Sequence, residues 1–174
     1  MITCPYCDEE NIDGVDECAE CGQSLEFLSK PRTNSPIERS LVKDRVYMLS
    51  PRKPFTVDAE TPVREVLNLL IDQKIGCVVV MQNEEMVGIF TERDALMRLN
   101  TDAVKLGERP IVDFMTASPE TVDIDASIAF ALHKMDIGGY RHIPVLTDGK
   151  TTGVVSVRDI LRYITEDLLT STRV

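Results

Sequence analysis

Four of the five cysteines form two Cys-x-x-Cys hooks, Cys4-Pro-Tyr-Cys7 and Cys18-Ala-Glu-Cys21, ten residues apart. A hook of this spacing can place two thiolates on one ion, and two hooks close a tetrahedral Cys4 site, the geometry of structural zinc. Gly22, directly after the second hook, suits a tight knuckle that needs positive φ. Residues 1–28 carry few other apolar side chains (Ile2, Tyr6, Ile12, Val15, Leu25, Phe27, Leu28), too few to hold a fold by burial. Metal binding, on the order of 10–16 kcal/mol in zinc-finger peptides, can replace the missing core. Iron and a redox pair are the alternatives that the spacing leaves open. A thioredoxin-type hook would need a βαβ setting that this segment lacks.

A second constellation occurs twice, as Thr91-Glu-Arg-Asp94 and Ser156-Val-Arg-Asp159. Each follows a glycine-led strand and opens a helix. Ser/Thr-x-x-Asp is also a capping box, so a plain helix start is the simpler account of either instance alone. Repetition at equivalent positions, with Arg93 and Arg158 both kept, argues for more. A hydroxyl and free N–H groups at a helix start favour an anion, and the aspartate one turn in offers two acceptors at a spacing suited to ribose hydroxyls. Arg141-His142 is the third candidate: arginine forks onto phosphate and histidine is a pH-sensitive donor. A surface arginine beside a packed histidine is the alternative. His133 falls off the apolar helical face and is expected to be exposed; Cys77 opens a buried strand as a small hydrophobe.

The elements that must carry these residues are duplicated. Pro54-Phe-Thr-Val-Asp58 matches Pro119-Glu-Thr-Val-Asp123, and the same offset of 65 pairs Leu67 with Leu132, Val80 with Val145, Gly88 with Gly153, and Arg93-Asp94 with Arg158-Asp159. Each copy reads as strand, helix, strand, strand, helix. Thr61-Pro62 predicts the first helix start, a cap residue followed by proline at the first helical position. Val63, Val66, Leu67 and Leu70, and then Ile128, Ala131, Leu132 and Met135, recur at helical spacing. The runs 76–81 and 142–146 read as buried strands closed by polar turns. The segments 95–99 and 160–164 read as the second helices.

Order and motifs together resemble the CBS domain family. They include Gly88-Ile-Phe-Thr-Glu-Arg-Asp94, Asp113-Phe-Met-Thr116 with Pro119, Arg141-His-Ile-Pro-Val145 and Gly153-Val-Val-Ser-Val-Arg-Asp159. The resemblance covers about residues 37–170. It implies an α+β fold, a tandem CBS pair of two β-α-β-β-α repeats in one pseudo-twofold unit, with a small Cys4 head that resembles zinc ribbons. The expected divisions are the head at 1–28, a linker at 29–36, the first repeat at 37–105 and the second at 106–174. The resemblance also implies an adenine nucleotide as regulatory ligand. Its ribose would lie on the aspartate, its phosphates near Thr or Ser, and its adenine among strand backbone and apolar side chains. That gives Ile89, Thr91, Arg93 and Asp94 for one site and Val154, Ser156, Arg158 and Asp159 for the other. Arg141 and His142 would meet phosphate where the first copy has only Gly76-Cys77, so the two sites are expected to be unequal. A homodimer is expected as well.

Net charge is −10, and eight acids with no Lys or Arg lie between Met1 and Ser29. That opposes nucleic acid as a partner, because its non-specific affinity comes from basic side chains. The N-terminal residues lack the basic start and apolar stretch of a signal peptide, and no run of about 18 apolar residues suggests a membrane span. A cytoplasmic protein is expected. Two histidines and no nucleophile beside a base give no catalytic constellation. The expected function is a non-catalytic nucleotide sensor acting on an unidentified protein in trans. The alternative is an adaptor in which the metal head docks a partner and the repeats dimerise.

Overall fold

A computed structural model describes residues 1–12, 15–25 and 36–168. The linker expected at 29–36 lies outside the described residues except for Pro36, and so do residues 169–174 of the second repeat. The chain forms two compact units, each taking segments from both halves of the sequence. One comprises Met1–Pro51, Val122–Arg141 and Val155–Val174; the other comprises Arg52–Thr121 and His142–Val154.

The second of these units is built on strands β3 (Thr56–Asp58), β4 (Cys77–Gln82), β5 (Glu85–Thr91) and β6 (Thr116–Ala117), in the order β3-β4-β5-β6. β3 runs parallel to β4, as a crossover through helix α2 (Val63–Asp72) requires, while β4 and β5 are antiparallel. The two-residue turn between them, Asn83-Glu84, takes φ of 50° and 67°, both left-handed, which matches the twist of the flanking strands. Asp148 and Gly149 repeat that turn with φ of 51° and 75°, between β8 (His142–Thr147) and β9 (Lys150–Ser156). Val78, Val79 and Val80 are wholly buried, which explains a strand written as an unbroken β-branched run. Val63, Val66 and Leu70 of α2 pack on Val78, Val80, Phe90, Ile111 and Phe114.

One expectation is corrected here. Thr61 does not cap α2, and Pro62 is not its first helical residue. Pro62 holds the cap position with extended backbone (ψ 139°) and no side-chain cap bond. The first helical N–H groups of Val63 and Arg64 donate instead to the carbonyls of Arg109 and Gly107, both at 2.9 Å. Backbone from a distant segment does the capping, and no local pattern can encode that.

In the other unit, α1 (Pro36–Lys43) packs on α5 (Ile128–Gly138), and α5 packs on α6 (Val157–Tyr163). The N–H groups of Val46 and Tyr47 donate to Ala126 and Ile124, and that of Ile128 donates to Asp44. Ser127 caps α5, its hydroxyl accepting from the Phe130 N–H at 3.1 Å. Ile128, Ala131 and Met135 form the buried stripe of the helix.

Candidate functional site

The cysteine head is two copies of one knuckle. In each, the first cysteine's N–H reaches the carbonyl five residues on (Cys4 to Glu9, Cys18 to Gln23, both 2.8 Å). Its carbonyl then accepts from the N–H four residues on (Asp8 and Gly22, both 2.9 Å). That fourth residue must be left-handed: Gly22 has φ 69°, and Asp8 adopts 62° in the other copy. A short ladder of β1 (Ile2–Thr3) on β2 (Glu10–Asn11) closes the first hook, and an antiparallel bridge of Glu17 with Ser24 closes the second. The Cys4–Cys21 and Cys7–Cys18 sulfur pairs are each 3.6 Å apart, and all four sulfurs lie within 4.8 Å of one another. A tetrahedron with metal–sulfur bonds of ~2.3 Å has edges of about 3.8 Å, so the four thiols fit one ion.

Asn11, buried and not singled out in the sequence, ties the knuckles together. Its amide donates to the Glu9 carbonyl and the Cys18 sulfur and accepts from the Ala19 N–H. Burial pushes the Cys21 thiol up to about 11 and raises Cys7 as well. Burial also acts on Cys18, but N–H donors from Cys21, Asn11 and Glu20 outweigh it and hold that thiol at about 6. The head rests on α5. The Ser127 hydroxyl donates to the Tyr6 carbonyl at 2.7 Å, and His133 Nε2 lies 3.0 Å from the Cys21 carbonyl with its ring beside Tyr6. His133 is therefore half-buried against the head, a correction to the exposed position expected from its helical face. Arg45 pairs with Asp8 at 3.0 Å.

At the first junction β5 passes directly into α3 (Glu92–Asp94), which continues as a π-helical turn, Ala95–Leu99. Asp94 N–H donates to the Thr91 hydroxyl at 3.2 Å, and Asp94 Oδ2 accepts from the Thr91 N–H (3.0 Å) and hydroxyl (2.6 Å). The second junction, from β9 into α6, repeats the carboxylate's part: Asp159 Oδ2 accepts from the Ser156 N–H (2.9 Å) and hydroxyl (2.6 Å). Duplication extends to the backbone, since Glu92 N–H donates to Gly76 as Val157 N–H donates to Arg141. Both capping boxes are thus formed, and both aspartates are largely buried, with side chains 13% and 11% exposed. Ile89 is buried beside the first junction on β5 and Val154 half-buried on β9, while Arg93, Arg158 and Arg141 are exposed.

Two arginines missed in the sequence sit on the other carboxylate oxygen. Arg98 Nε lies 3.3 Å from Asp94 Oδ1, and Arg162 lies 3.3 Å from Asp159 Oδ1. Arg98 also donates to the carbonyls of Phe114 (2.9 Å) and Met115 and to the Thr116 hydroxyl (3.0 Å). That hydroxyl in turn reaches Asp94 Oδ1 at 3.2 Å. His142 is half-buried with its ring against Gly76. A Cβ on that glycine would fall 2.7 Å from the ring's Nε2 and 3.7 Å from Glu92, so the glycine admits the histidine. The half-buried Cys77 thiol, pushed up to about 12 by burial and then by the Glu92 charge, stays protonated.

Two strand–helix repeats, each sending its last strand into a Thr/Ser-x-x-Asp helix start, define an α+β tandem CBS pair, here preceded by a four-cysteine head. The CBS domain model matches residues 42–101 and 111–166, and the chain belongs to this family. A CBS domain-containing protein of Arabidopsis thaliana is 34% identical over 176 residues, covering 92% of this chain and 32% of its own. The chain thus spans about a third of that relative's length. A solved CBS-domain protein of Agrobacterium tumefaciens superposes on 68% of this chain and 98% of its own with a TM-score of 0.64 at 26% identity. The CBS domain protein PAE2072 of Pyrobaculum aerophilum, solved in complex with AMP, superposes on 73% of this chain and 99% of its own. Its TM-score is 0.62 at 28% identity. Among the described residues no helix is long and apolar enough to cross a membrane.

Proposed function

We propose that this chain is a non-catalytic regulatory module that binds adenine nucleotides of the AMP, ADP or ATP type and signals to a partner protein in trans. The observation that carries the reading is the duplicated junction, with one hydrogen-bond pattern around Thr91 and Asp94 and again around Ser156 and Asp159. The AMP complex of the Pyrobaculum relative supports the ligand class. In this reading the aspartates hold ribose, Ile89 and Val154 flank adenine, and Arg141 and His142, with Arg93 and Arg158, supply charge for phosphate. Signalling requires that ligand affinity differ between two conformations or assemblies, because equal affinity shifts nothing. We further read the module as a cytoplasmic homodimer, and the head as a structural zinc site held by Cys4, Cys7, Cys18 and Cys21.

A second reading, an adaptor whose head docks a partner, is favoured by exposed apolar side chains on the head, Met1, Ile12 and Val15. Calorimetry on the zinc-loaded protein with AMP, ADP and ATP separates the two. Saturable binding at micromolar to low millimolar concentration is expected, and silence from all three nucleotides would leave the adaptor. In Arg141→Ala the affinity for ATP should fall more than that for AMP; equal losses would remove the arginine from the phosphate site.

A further inference from the structure

The two carboxylates have one oxygen each for a ligand. Oδ2 of Asp94 and of Asp159 already accepts a backbone N–H and a hydroxyl, which fills its two lone pairs. Among the described residues Oδ1 has only longer contacts of 3.2–3.3 Å, from Arg162 at Asp159 and from Arg98 and the Thr116 hydroxyl at Asp94, where a ligand must displace that hydroxyl. A ribose hydroxyl must therefore arrive on Oδ1, the oxygen that the arginine touches.

We infer that Arg98 and Arg162 are positioning residues for the ribose: each aims the carboxylate oxygen that accepts the sugar hydroxyls. The inference rests on the nucleotide reading above. The two residues are not related by the offset of 65, which pairs Arg98 with Tyr163. Arg98 stands four residues after its aspartate and Arg162 three, yet both guanidinium groups reach Oδ1 at 3.3 Å. The π-helical turn at Ala95–Leu99 absorbs the extra residue in the first copy. Beyond it the register is 64: buried Leu99 takes the place of buried Tyr163. The contact to Oδ1 is kept although the spacing changes from four residues to three. Arg98 has a second task, because its bonds to Phe114, Met115 and Thr116 fix the segment entering β6 against the same aspartate.

The test is calorimetry with AMP and with 2′,3′-dideoxy-AMP on wild type, Arg98→Ala, Arg98→Lys and Arg162→Ala, with melting curves for each. Wild type should prefer AMP. Each alanine variant should weaken AMP at one site by about tenfold, the scale of a hydrogen bond to a charged group. Affinity for the dideoxy analogue should change little, so the preference collapses at that site. Arg98→Lys keeps the charge but cannot fork and should fall between. A merely structural arginine would weaken both ligands equally and lower the melting temperature, which would overturn the inference. Wild type that binds and discriminates, with every variant matching it, would overturn it alone. Wild type that binds neither ligand would overturn the nucleotide reading together with it.

Discussion

Asp94 and Asp159 stand in the same local sequence but in different company. Oδ1 of Asp94 accepts from Thr116 as well as Arg98, whereas among the described residues Asp159 Oδ1 has Arg162 alone. On β9 the residue paired with Val154 is Arg52, where β5 pairs Ile89 with Thr116. A ligand hydroxyl at the first site must compete with the Thr116 hydroxyl. Thr116→Val should therefore strengthen ribose binding there by roughly tenfold or more, the net worth of one hydrogen bond to a charged group; site-resolved NMR titration would read it, and a weaker first site would contradict it. The capping boxes, the two hooks and the positive φ at Gly22 were legible in the sequence because each is a local pattern. Thr116 and Asn11 were not, since their partners lie 22 and 7 residues away; Arg98 lies only four residues from Asp94, but its bonds to Phe114 and Thr116 depend on which segments meet.

Two helices show where element-level reading succeeds and where it stops. Apolar spacing located α2 and α5 and named the residues that prove buried in each. It could not see that α2 borrows its cap from 107–109, or that the head covers His133 on α5. Nor does an apolar pattern reveal a π-turn, which leaves the buried positions in place and adds a residue on the outside. Met97 is that kind of residue, 74% exposed within the turn. Deleting it should convert 95–99 to ordinary α-helix with Arg98 three residues from Asp94, as Arg162 is from Asp159. Stability should change by less than about 1 kcal/mol, the usual size for surface changes; loss of the cooperative melt would refute this. Ser127→Ala removes both the cap of α5 and its bond to Tyr6. A loss of about 1–2 kcal/mol is expected, visible as a melting temperature several degrees lower.

At the scale of the molecule, a metal held by the four cysteines would be linked to the fold. The Tyr6 and Cys21 carbonyls that meet Ser127 and His133 belong to the two hooks. Stripping the ion with a strong chelator should open the knuckles and lower the amide protection of Phe130 and its neighbours at the start of α5. Hydrogen exchange that changes only in residues 1–25 would show the head to be an independent appendage. The duplication was legible as far as Asp94 and Asp159, because an ungapped offset of 65 records one fold written twice; the change to 64 beyond the π-helical turn was not. The way the chain apportions those copies between two compact units was not, since that depends on pairings such as Arg52 with Val154 across 102 residues.

That apportionment bears on how the protein is made. One unit needs residues as late as Val154 and the other extends beyond them, so neither can close while the second half is still inside the ribosome. Early strands such as β4, with three consecutive buried valines, must wait with incomplete cover. The head is different. Its four ligands span only Cys4 to Cys21 and can capture an ion long before α5 exists to receive them. With a metal bound, the head would be the first folded surface available during synthesis, and α5 would then be built onto something already rigid.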